Sequence, residues 1–183
     1  MMIPKHFHWI WLGSPLPDKY KSWMESWSFH NPEYERTIHT EFHDLINQKE
    51  YELATCLSRR SDIARADILF RHGGIYIDVD FECLKPFDDL LNRDTLCSRE
   101  SPGGRVGTAL IGSIPGNPFI ASCIREFPQW WKEHPRCGSD WTGPVFFTEM
   151  CKKYGVDVIE NTRLFYPYFH HEPISVYPES YAV

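Results

Sequence analysis

Residues 73–81, GGIYIDVDF, place two aspartates in a run that otherwise reads as a buried β-strand. Strand alternation predicts Ile75, Ile77, Val79 and Phe81 on one face, and Tyr76, Asp78, Asp80 and Glu82 on the other. Asp78 and Asp80 would then share a side, roughly 7 Å apart along the backbone. A carboxylate withdrawn from water is costly unless something pairs with it. Either the strand emerges into solvent here, or a cation or ligand compensates the two acids. Asp-x-Asp recurs by chance, so the tripeptide alone favours the first reading.

The segment feeding into this strand, SRRSDIARADILFRHGG (58–74), has a helical pattern. Ser61 is the expected N-cap, Asp62 falls in the first turn, and Gly73-Gly74 form the stop. Asp62 and Arg65 are three residues apart and share a helix face. They read either as a surface ion pair or as a pair gripping hydroxyl or phosphate oxygens at a pocket mouth.

Working outward, residues 5–12 predict a first buried strand that ends at Gly13-Ser14-Pro15. Trp9 and Trp11 close it, with core packing as their ordinary fate and a stacking platform for a nucleobase as the alternative for a Trp at the strand end. From Asp18 a helical pattern runs to Asn31-Pro32, followed by a strand near Tyr34–His39 and a helix from His43 to about Leu57. Residues 86–91 predict a short helix, and 96–113 two strands around the turn SPGGRVG. Helices follow at Pro118 to Glu133 and from the TGP segment (142–144) through about Tyr154. The strand VDVIE (156–160) and a loop-rich end complete the chain. Alternating strands and helices predict an α/β fold with a mostly parallel sheet flanked by helices, whose ligands bind at the carboxyl ends of the strands.

A chain of 183 residues fits one domain. Seven Trp, nine Tyr and twelve Phe supply core filling, and concave sites that stack sugars or bases use the same residues. The formal charge of −6 argues against nucleic-acid binding. No apolar stretch is long enough for a transmembrane segment and no targeting signal is visible, so a cytoplasmic location is expected, with peripheral membrane attachment as the alternative. The six scattered cysteines read as reduced thiols. The nine histidines, His170-His171 among them, show no helical zinc spacing.

The run from Ser61 to Leu91, SDIARADILFRHGGIYIDVDFECLKPFDDLL, resembles the DXD sugar-binding region of family 32 glycosyltransferases. These include capsular-polysaccharide enzymes and yeast-type α-mannosyltransferases, with the clostridial glucosylating toxins as distant relatives. Ser-Asp-x-x-Arg, Gly-Gly-Ile-Tyr-x-Asp-x-Asp and the Leu-Lys-Pro turn are all present. IPKHFHWIWLG (3–13), NPEYE (31–35), GTALIGSIPGNP (107–118) and TGP are similar to further family elements.

The resemblance implies a GT-A-like fold spanning 1–183, a UDP- or GDP-sugar donor, a glycan or other hydroxyl acceptor, and retaining transfer with Mn²⁺ or Mg²⁺. Asp80 would bind the metal directly, and Asp78 would contact the metal shell and the ribose or sugar. Asp62 and Arg65 would hold donor-sugar hydroxyls, and Trp11 would stack on the base. Thr108 stands where the family commonly has Asn in a donor contact. Related chains continue past Tyr-Pro-x-x-x-Ala-Val into a tail that helps close the donor site, whereas this sequence ends at Val183. No catalytic carboxylate is assigned. The competing readings are a nucleotide-sugar-binding homologue without turnover and an Asp-x-Asp phosphohydrolase.

Overall fold

The computed structural model describes residues 1–134, 138–168, 173 and 175–183. Cys137 and the His170-His171 pair lie outside the described residues. Five strands, β1 (His6–Ile10), β2 (Glu35–His39), β3 (Gly74–Ile77), β4 (Thr95–Leu96) and β5 (Leu110–Ser113), form one sheet in the order β2-β1-β3-β5-β4. β2, β1 and β3 are mutually parallel, and β5 runs antiparallel to both β3 and β4. Four strands therefore share one direction and β5 opposes them.

Alternation along β3 divides the core as the sequence predicts. Ile75 and Ile77 join Phe7, Trp9, Trp27, Leu96 and Phe87 on one face of the sheet. Tyr76 points to the other face, among residues of the helices α3 (Leu57–His72), α4 (Pro118–Glu133) and α5 (Pro144–Tyr154). Helix α1 (Asp18–His30) sends the fully buried Trp27 into the first face, where its Nε1–H donates to the Phe81 carbonyl at 2.8 Å. Asn31 ends α1 and its amide oxygen accepts from the Phe87 N–H at 2.8 Å, so the breaker also anchors the loop after β3.

Two local expectations change. The helix expected from His43 shrinks to α2 (Gln48–Leu53), and α3 begins at Leu57 with Cys56 as its extended N-cap. Ser61 and Asp62 are therefore in the second turn of α3. Nothing between Leu57 and Ser61 disfavours a helix, and the Arg59 guanidinium, 5.3 Å from the Trp131 ring, fastens the extra turn to α4. The VDVIE strand is reduced to one parallel bridge, Ser98 to Ile159.

The Gly73-Gly74 stop is sterically required. Gly73 (φ +66) and Gly74 (φ +87) adopt conformations that favour glycine. A Cβ on Gly73 would lie 2.7 Å from Pro115, and one on Gly74 2.6 Å from the His6 carbonyl oxygen. This tight junction turns α3 directly into β3 and thereby sets Asp62 and Arg65 beside Asp78. No helix among the described residues is long and apolar enough to cross a membrane.

Candidate donor-sugar site

β3 ends at Ile77. The Asp78 N–H still bonds across to the Ala109 carbonyl at 2.7 Å, but the Phe81 N–H then turns back to the Asp78 carbonyl at 3.2 Å. The expected alternation therefore stops at Asp78, and Asp80 sits on the turn rather than on a continuing strand. Asp80 is exposed and, among the described residues, makes no ion pair or side-chain hydrogen bond. Beyond it the chain is held by the C-terminal residues, with Glu82 and Val183 exchanging backbone hydrogen bonds at 2.7 and 3.0 Å.

Arg65 is the centre of the buried part. Its Nη2 lies 3.0 Å from Asp62 Oδ1 and 3.8 Å from Asp78 Oδ1. Nη1 donates to the Thr108 carbonyl, Nε donates to the Ser61 carbonyl at 3.3 Å, and the guanidinium stacks 4.4 Å from the Tyr76 ring centre. The Arg65 and Asp62 side chains are only 9% and 7% exposed, so the pair is interior rather than a surface ion pair.

Asp62 is gripped on both oxygens, since the Thr142 hydroxyl donates to Oδ2 at 2.7 Å. Asp78 is 37% exposed and accepts the Tyr76 hydroxyl on Oδ1 at 2.5 Å, which ties down the oxygen nearest Arg65. Asp62, Arg65, Asp78 and the Thr108 backbone are thus brought together. Trp11 is half-buried at the carboxyl end of β1, next to β3, with its ring 5.2 Å from Tyr20 and its buried indole N–H without a hydrogen-bond partner among the described residues.

Three contributors escaped the sequence reading. Thr142 and Gly143 belong to the TGP segment, whose buried position is set by the short helical turn Ser139–Trp141 and the start of α5. A Cβ on Gly143 would lie 2.9 Å from Asp62 Oδ1 and 3.2 Å from Thr108 Oγ1, so glycine is needed for space. Tyr166 brings a buried hydroxyl against Gly107, where a Cβ would lie 2.2 Å from it. Gly143→Ala is expected to push Asp62 off Arg65 and to destabilise the fold by about 1–3 kcal/mol; urea denaturation would show it.

Burial pushes Asp62 up to about 6, and the opposing attraction of Arg65 does not fully offset it. Asp78 is also raised, again chiefly by burial. On the far side of the junction, His39 and His8 share a hydrogen bond of 3.2 Å, and His8 Nε2 donates to the Gly73 carbonyl at 3.1 Å. Burial, with His6 and His72 nearby, lowers His8 to about 3 and His39 to about 4.

The unfolded histidines bind protons from about pH 6.5 downward while the folded ones do not. Their stabilisation is complete above that pH and lost as pH falls towards 4 and then 3. Asp62 works in the opposite direction, because its ionisation cost sets in between about 3.8 and 6 and acid relieves it. The two buried histidines therefore contribute an unfolding free energy that falls between pH 6.5 and 4.5, opposed by Asp62 and Asp78. Urea denaturation at the two pH values measures this, and replacing His39 with Asn should flatten the slope.

The site's oxygen donors suit a hard cation. Among the described residues no three His, Cys, Asp or Glu side chains form a metal cluster. The partner-free Asp80 carboxylate and the partly exposed Asp78 match a cation that takes the rest of its shell from a diphosphate and water.

Residues 17–97 match the family model described as glycosyltransferase sugar-binding region containing DXD motif. The mannosyl phosphorylinositol ceramide synthase CSH1 of Saccharomyces cerevisiae is 31% identical over 166 residues, covering 84% of this chain and 43% of that protein. Among solved structures, the PaToxG glycosyltransferase superposes with a TM-score of 0.74 at 20% identity, over 84% of this chain and 69% of that one. The UDP-bound glycosyltransferase domain from the YGT toxin gives 0.53 at 12% identity, over 85% and 68%. These similarities bear out the GT-A-like fold and the resemblance drawn from the sequence. The chain spans about two fifths of the length of curated relatives such as CSH1.

Proposed function

From the match of residues 17–97 to a glycosyltransferase sugar-binding region containing a DXD motif, we propose that the protein transfers a sugar from a UDP- or GDP-sugar to a hydroxyl acceptor, with retention of configuration. Residues 1–183 act as one nucleotide-sugar-binding domain in this reading. The observation that carries it is the buried Asp62–Arg65–Asp78 network with the exposed, unpaired Asp80 beside it, at the carboxyl ends of parallel strands.

Each side chain has a task that its contacts prepare. Arg65 is held by two carbonyls and an aromatic face, so its remaining N–H donors are oriented before substrate arrives. Asp62, fixed by Arg65 and Thr142, accepts a hydroxyl of the donor sugar. Asp78 presents the oxygen not taken by Tyr76 towards the ribose or sugar and towards the metal shell. Asp80 holds the divalent cation, Mn²⁺ or Mg²⁺, and Trp11 stacks on the base. Thr108 lends its carbonyl to Arg65 and its side chain to the donor pocket. The bound cation supplies Lewis-acid stabilisation of the charge that develops on the departing diphosphate. The family name and the UDP carried by one structural neighbour support the donor class.

A panel of UDP- and GDP-sugars, scored for nucleotide release with and without Mn²⁺, tests the reading. Burial pushes Asp62 up to about 6 and its ionised carboxylate is the stronger acceptor, so donor kcat/KM should fall as the pH drops below that value. A flat profile from pH 7 to 5 would remove Asp62 from the donor site.

A further inference from the structure

The structure contains an aromatic-floored groove outside the acidic network. α4 and α5 pack antiparallel, with Phe127 against Phe146 at 5.3 Å near one end and Phe119 against Tyr154 at 6.4 Å near the other. Between them runs a groove of about 510 Å³, floored by Trp130, Phe146 and Met150. Its rim carries Glu126, Glu133 and Glu149, of which Glu126 is paired with Lys153 at 2.6 Å and Glu149 with Lys152 at 2.8 Å.

At the Trp130 end the groove meets an exposed indole. The Trp130 Nε1–H donates to the Trp141 carbonyl at 2.7 Å, and the His134 ring stacks on Trp141 at 4.8 Å and 22°. Trp141 is thereby held rigid yet remains 37% exposed. Arg105 and Asp140, 3.0 Å apart, stand beside it as exposed hydrogen-bonding groups.

Chain continuity ties this platform to the donor site. Trp141 directly precedes Thr142 and Gly143, which touch Asp62. Phe146 is a common wall, lining both the groove and the small internal cavity that Asp62, Arg65 and Thr108 border.

Resting on the glycosyltransferase reading, we infer that Trp141 and the α4–α5 groove form the acceptor subsite, and that the acceptor is a neutral glycan. A rigid, partly exposed indole offers a flat face to the C–H faces of a pyranose, and flanking carboxylates and a guanidinium fork take its hydroxyls. The neighbouring lysines, Lys152 and Lys153, are already engaged by Glu149 and Glu126, so the groove presents paired charges rather than a free cationic cradle for an anionic acceptor such as a phosphorylated headgroup. The volume admits more than one sugar ring. The terminal ring lies on Trp141, next to the donor sugar at Asp62, and the rest of the glycan follows the groove towards Tyr154.

The test is ligand-observed saturation-transfer NMR with neutral mannose, glucose and galactose disaccharides and with inositol 1-phosphate, on the wild type, Trp141→Ala and Trp141→Phe. Expected are binding of at least one neutral disaccharide, a loss of at least about tenfold in affinity for Trp141→Ala, recovery of most of it in Trp141→Phe, and no inositol phosphate signal. Circular dichroism confirms that each variant is folded. Disaccharide binding that is absent in the wild type or unchanged in Trp141→Ala overturns the subsite, and preferential binding of inositol 1-phosphate overturns the neutral class. Calorimetry of nucleotide sugars with the same wild-type sample judges the donor reading separately, so failure of either is recognised by itself.

Discussion

Asp80→Asn is expected to lower nucleotide release from the preferred donor by about 10²–10³-fold, the scale of removing a main electrostatic stabiliser of a developing charge. The substitution preserves shape and removes the charge. Asp80 is exposed and has no ion pair or side-chain hydrogen bond among the described residues, so it contributes little to folding. The thermal midpoint should move by less than about 2 °C. A large loss of rate without loss of stability separates a metal-holding role from a structural one. Equal release by wild type and variant would remove the role assigned to Asp80.

Arg65→Met should have the largest effect on stability. It deletes the partner of Asp62 and Asp78 and leaves the Thr108 and Ser61 carbonyls without their side-chain donor. Breaking a buried pair from one side typically costs about 3–5 kcal/mol, read here as a drop in the urea midpoint with unchanged m-value. Part of that cost is the charge stranded at Asp62, so adding Asp62→Asn should recover some of it. Asp62→Asn alone is expected to cost less than Arg65→Met at pH 7.5, because burial already disfavours the ionised carboxyl and Arg65 keeps Asp78 and its two carbonyl acceptors. Donor turnover should nevertheless fall in that variant.

Much of this frame is legible in the sequence because it rests on strong local signals. The Gly-Gly stop, the Asn31-Pro32 breaker, and the prolines opening α4 and α5 each act through backbone sterics that hold in any context. The true start of α3 is not legible, because LSRRS has no breaker and the boundary is set by contact with Trp131 far along the chain. Asp80 was expected to continue the strand, since period-2 alternation runs through it. The turn after Asp78 is instead held by pairing of residues 82–84 with 181–183, a contact across about one hundred positions.

The site divides along the same line. Asp62, Arg65 and Asp78 converge because one helix leads into one strand through a two-residue junction. Thr142, Gly143 and Tyr166 arrive from distant segments, and only the spatial arrangement reveals that Gly143 must lack a side chain for Asp62 to fit. The TGP run was visible as a family element, yet nothing in its own composition said which carboxylate it touches.

The most direct measurement is calorimetric binding of UDP- and GDP-sugars to the wild-type protein, with Mn²⁺ and with the metal chelated. The account predicts that at least one nucleotide sugar binds, at least about tenfold more tightly with Mn²⁺, and that Asp80→Asn erases the metal dependence. Failure of every donor to bind, or equal affinity with and without metal, would contradict it.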